Sequence, residues 1–81
     1  MTDHEQIMVS ALRYALGRRT YIVGDTCRYI RKYIDGMTQH CKNVMIDDIK
    51  RQKPFGYGDG CDEDDWMSLL EELEEEKNES V

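Results

Sequence analysis

At 81 residues the chain has room for one small domain, and a domain of that size buries only about 60% of the surface its unfolded chain exposes, which argues against a full core and a deep substrate cleft together. A composition that is 40% hydrophobic and 35% charged places it with compact charged domains rather than disordered chains. Its net charge of -6 is unevenly divided: residues 1–53 carry ten Lys or Arg and six acids, net +4, and residues 54–81 carry one Lys and eleven acids, net -10. Such bipolarity points to a charged partner.

In chain order, Thr2 and Glu5 have capping-box spacing, and Ile7, Met8, Ala11, Leu12, Tyr14 and Ala15 recur at helical intervals up to Gly17, so a first helix is expected over residues 3–16. A second is expected over residues 20–35, with Val23, Cys27, Ile30 and Ile34 on one stripe and Asp25, Arg28 and Lys32 on the other face. Gly24 inside it costs about 1 kcal/mol against alanine, so either another backbone packs closely there or residues 19–23 are extended. Thr38 caps a third helix whose face is Cys41, Val44, Met45 and Ile49 and which ends before Pro54.

The run PFGYGDG over residues 54–60 must turn, and it separates the basic part of the chain from the acidic part. A fourth helix is expected from Asp62 or Asp64, with Trp66, Leu69, Leu70 and Leu73 as its apolar stripe, fraying beyond Glu75. The expected fold class is all-α: a single domain of three to four short helices around a core of Ile7, Leu12, Tyr14, Val23, Ile30, Ile34, Met45, Ile49, Trp66, Leu70 and Leu73.

Few residues point to chemistry. Cys27, Cys41 and Cys61 form no CxxC pair and read as reduced thiols that mainly pack. The acidic run 59–65 fails the calcium-loop pattern in both registers: counted from Asp59, Leu70 falls where the bidentate glutamate belongs, and counted from Asp62, Leu73 does. Gly56-Tyr57-Gly58 has neither the preceding strand nor the third glycine of a dinucleotide motif, and His4 and His40 belong to no triad pattern. No cofactor, metal or enzymatic activity is expected. The polar, acidic start MTDHEQ and the lack of any apolar run near 20 residues point to a cytoplasmic protein that does not enter a membrane.

Two charged surfaces remain. Arg18, Arg19, Arg28, Arg31 and Lys32, with Tyr21, Tyr29 and Tyr33 for stacking, form a candidate phosphate-binding face. Asp59, Asp62, Glu63, Asp64, Asp65, Glu71, Glu72 and Glu75 form a candidate partner-binding face, carboxylates along a helix that present repeated negative charge as a phosphate backbone does. Each also reads plainly, as a solvated basic face paired with the acids of the fourth helix and as a solubility device. A homodimer or adaptor held by Trp66, Leu69, Leu70 and Leu73 is a further possibility.

Residues 11–23, ALRYALGRRTYIV, resemble a segment of short proteins encoded by tailed phages and prophages of bacteria, in which a RYALGRRTYIV-like stretch opens a compact helical domain. Asp65 and Trp66 resemble the acid and tryptophan that precede the closing helix in many of these proteins. The resemblance covers well under half the chain. It implies a phage accessory protein in the cytoplasm of a bacterial host, of the kind that inhibits host defence, such as an anti-CRISPR protein blocking a nucleic-acid-guided nuclease. The matching positions are Arg13, Tyr14, Gly17, Arg18, Arg19, Thr20 and Tyr21. The leading expectation is therefore an inhibitor that binds a CRISPR effector nuclease through its acidic residues, and the alternative is a small nucleic-acid-binding regulator using the basic face.

Overall fold

In the computed structural model of the chain, residues 1–18 and 22–75 are described. Four helices, α1 Asp3–Ala15, α2 Ile22–Tyr33, α3 Gln39–Arg51 and α4 Gly60–Glu74, are joined by short connections that include 3-10 turns at Ile34–Gly36 and Lys53–Phe55. Among the described residues there is no strand, in keeping with the all-α expectation. Both α1 and α4 pack on α2 and on α3, so the four helices close a ring around the core. Met8, Leu12, Val23, Cys27, Ile30, Met45, Ile49, Trp66, Leu69 and Leu73 fill the centre.

Local chemistry accounts for the helix starts. Thr2 and Glu5 form the complete capping box, the Thr2 hydroxyl accepting from the Glu5 N–H. The Thr38 hydroxyl accepts the Cys41 N–H at 3.2 Å and the Asp59 carboxylate accepts the Asp62 N–H at 3.0 Å. The Asp59 cap starts α4 at Gly60, ahead of the expected Asp62 or Asp64. Helix α2 ends at Tyr33 and tightens into the turn through Gly36, while Pro54 lies in the 3-10 turn after α3. Residues 19–21 and the expected fraying beyond Glu75 fall outside the described residues, except that Ile22 and Val23 are helical. Gly24 is helical too, and its close neighbour is a side chain rather than a backbone: a Cβ there would lie 3.6 Å from an Asp65 oxygen. Gly17, with φ +81°, reverses the chain after α1 beside Gln52.

Two expected core residues are on the surface. Ile7 is 64% exposed and Tyr14 58%, whereas Met8, Val9 and Ala15 are buried on the opposite side of α1. Helix α1 carries apolar side chains on two stripes, so hydrophobicity alone leaves its rotation open. Glu5 resolves it: its carboxylate accepts from the Thr38 N–H at 2.8 Å and the Thr38 hydroxyl at 3.0 Å, which turns the Glu5, Met8, Leu12 side toward α3. Ile34 and Leu70 lie at the edge of the core, half-buried, and Tyr57, from the glycine-rich turn, packs within it with its hydroxyl donated to the Ile49 carbonyl at 2.8 Å.

The Thr38 hydrogen bonds hold the Glu5 carboxyl below its ordinary value of 4.5. A depressed carboxyl stabilises the fold above the unfolded value and loses that contribution as pH falls through the folded one. Thermal melts between about pH 6 and about pH 3 should therefore show a steeper decline for the native chain than for Glu5→Gln, and equal slopes would mean that this cap-to-cap contact contributes nothing.

Candidate interaction surface

Helix α4 presents three kinds of face. Asp62, Trp66, Leu69 and Leu73 point inward and are buried. Asp64, Ser68 and Glu71, spaced at one helical turn, and Glu75 at the C-cap are all exposed, and the three acids make no ion pair among the described residues. The lateral faces serve the fold, through Arg31 to Glu72 at 2.7 Å toward α2 and Lys50 to Glu74 at 2.8 Å toward α3. The Glu74 carboxylate also holds the Lys50 ammonium above its usual range.

The eight acids of the candidate partner-binding face thus occupy unlike positions. Asp59 is a cap, Asp62 is 8% exposed with its Oδ2 unpartnered, Asp65 is half-buried beside Gly24, and Glu72 is tied to Arg31. Glu63, Asp64, Glu71 and Glu75 face outward. A shallow depression of about 400 Å³ is lined by Glu71, Glu72, Glu74 and Glu75.

The basic residues are more engaged. Arg31 pairs with Glu72 of the fourth helix, as the plain reading of that face expects, whereas Arg28 pairs at 2.8 Å with Asp25 of its own helix. Arg18 lies over the Tyr14 ring, 4.2 Å from its centroid, and donates to the Tyr14 carbonyl. Lys32 is exposed and makes no ion pair among the described residues, and Arg19 and Tyr21 fall outside them. His4, Tyr29 and Tyr33 form an exposed ring cluster, with the His4 Nε2 2.7 Å from the Tyr29 hydroxyl.

Cys27 and Cys41 are buried, and burial pushes their thiols up to about 12 and about 11, so both are held as unreactive packing groups. Cys61 is exposed at the start of α4. Of the stripe offered for a dimer, Trp66 and Leu69 are fully buried and Leu73 nearly so within the chain's own core, and Leu70 is half-buried at its edge. No group of acids, histidines and cysteines among the described residues is arranged to hold a metal, and no helix there is long and apolar enough to cross a membrane.

One concavity was missed by pattern reading. A half-open groove of about 760 Å³ runs between the end of α3, the turn at Gly56 to Gly58 and the side of α4 that carries Glu63, Met67 and Leu70. Its signal in the sequence is the spacing 63, 67, 70, which places an acid and two apolar residues on one lateral stripe of a helix. No protein-family model, curated protein or solved structure matches the chain.

Proposed function

We propose that this protein is a binding protein that lays the outer face of α4 on a basic, nucleic-acid-binding surface of another protein. The observation that carries this reading is the exposed row Asp64, Glu71, Glu75, with no cation of the described chain drawn to it, while Glu72 and Glu74 are used to hold the fold. Asp64 and Glu71 stand two turns, about 10 Å, apart on α4 and Glu75 is its C-cap, so this negative charge is already arrayed before a partner arrives, and little ordering cost falls on binding. Complementary charge steers encounter and sets register. The resemblance of residues 11–23 to short phage proteins supports a target class: a host-defence nuclease, such as a CRISPR effector, whose nucleic-acid channel is basic.

The second reading, a regulator that binds nucleic acid directly, is favoured by the exposed rings of His4, Tyr29 and Tyr33, the two tyrosines on the helix that also carries the exposed Lys32. It is weaker because Asp25 and Glu72 already engage Arg28 and Arg31. The test is a pull-down of the full chain from nuclease-treated lysate of a CRISPR-bearing bacterium, followed by competition with the purified effector. Binding to the empty effector that disappears once its nucleic acid is loaded is the expected result. Binding unaffected by loading, or recovery of nucleic acid alone before nuclease treatment, would overturn it.

A further inference from the structure

The groove beside the acidic row is amphipathic in a particular way. Its side walls are Met67 and Leu70 of α4, both half-buried, and Tyr57, whose ring belongs to the core. Its lining charges are Lys50, Lys53 and Glu63; Lys50 is already paired at 2.8 Å with Glu74, which lies outside the lining, and Lys53 and Glu63 then balance. A locally neutral, apolar-walled cleft rewards an uncharged side chain, since a lone charge placed there gains no net partner for the water it loses. Immediately around the helix from it, Asp64, Glu71 and Glu75 are exposed, and they attract cations.

We infer that the groove receives an apolar side chain, leucine or aromatic, carried on a basic segment of the same protein partner whose cations meet the outer row of α4. The inference rests on the acidic-face reading and deepens it, from a surface recognised by charge to one with a buried anchor at its edge. Interfaces concentrate their energy in such desolvated anchors, while exposed rim charges mainly set orientation and rate. The volume, about 760 Å³, lies in the range of ligand-sized clefts. Met67 suits a wall that must adapt to an incoming side chain, because its unbranched thioether repacks at little cost. Lys53 and Glu63, which also line the groove, are both exposed.

Three synthetic helical peptides of equal length test this against the full-length chain, by calorimetry and by the methyl resonances of Met67 and Leu70. One bears lysines with leucine anchors on one face, one bears the same lysines with glutamines in place of the leucines, and one bears glutamates with the leucine anchors. The lysine-leucine peptide should bind about 10-fold or more tightly than the lysine-glutamine peptide, equivalent to about 1.4 kcal/mol. It should shift both methyl groups, and Met67→Gln should remove most of its advantage. Equal binding of the two lysine peptides would overturn the groove while leaving the acidic face standing. Tightest binding by the glutamate-leucine peptide would also overturn it, since the lysines would then be selecting an anionic occupant. Failure of both lysine peptides would remove the acidic-face reading itself.

Discussion

Trp66→Ala should cost about 3–5 kcal/mol of stability, the largest effect of any single change considered, because the indole is fully buried where α4 meets the rest of the core. A chain of this size has about 4–12 kcal/mol in all, so the variant should sit near or below the folding threshold. Urea denaturation with an unchanged slope and a midpoint shifted far toward zero is the expected result. Trp66→Phe should be much milder: it keeps a ring in place and removes an indole N–H that is buried without a hydrogen-bond partner. Ile7→Ser and Tyr14→Ser provide the contrast. Both side chains are exposed, so each should stay within about 0.5 kcal/mol of the native chain. Losses at Ile7 and Tyr14 comparable to that at Trp66 would mean that α1 is rotated from the orientation that Glu5 gives it.

Reversing the outer row, Asp64→Lys with Glu71→Lys and Glu75→Lys, should weaken binding to a basic partner by about 100-fold or more, while leaving the fold intact. Exposed charge pairs are each worth up to about 1 kcal/mol, and reversal replaces attraction by repulsion at three sites, so a total near 3 kcal/mol or above is reasonable at about 1.4 kcal/mol per decade. Much of the change should fall on the association rate, and raising salt to about 0.5 M should shrink the difference between native and reversed chains. Reversal at Asp62 or Glu72 is a different experiment. Asp62 is buried, and Glu72 holds Arg31 of α2 at 2.7 Å, so substitutions there mix loss of binding with loss of structure. Unchanged affinity in the triple reversal, measured by interferometry on a chain with native helicity, would exclude the acidic row as the contact.

The two experiments probe different layers of the same helix. Asp62, Trp66, Leu69 and Leu73 make α4 part of the core, Glu63, Met67 and Leu70 line the groove, and Asp64, Glu71 and Glu75 face solvent. Fifteen residues from Gly60 to Glu74 thus serve packing and display at once.

Much of this architecture was legible in the sequence by itself. The caps at Thr2 and Thr38, the breaks at Gly17 and Gly36, and the period of Val23, Cys27 and Ile30 are local signals, and local signals suffice for helix number and order. The division of charge between residues 1–53 and 54–81 is likewise a property of composition. Tertiary structure decided which side of each helix faces in, and hence which charges remain for a partner. Helix α1 could bury either of two apolar stripes, and a contact between Glu5 and Thr38, 33 positions apart, selects one. Arg31 and Glu72 are 41 positions apart, and although a pairing of the basic face with the acids of the fourth helix could be read from the chain, only packing decides which two residues meet. Their pairing removes one cation from the basic face and one carboxylate from the acidic face. The groove has the same origin, because its walls come from α3, a glycine turn and α4, three segments that only packing brings together.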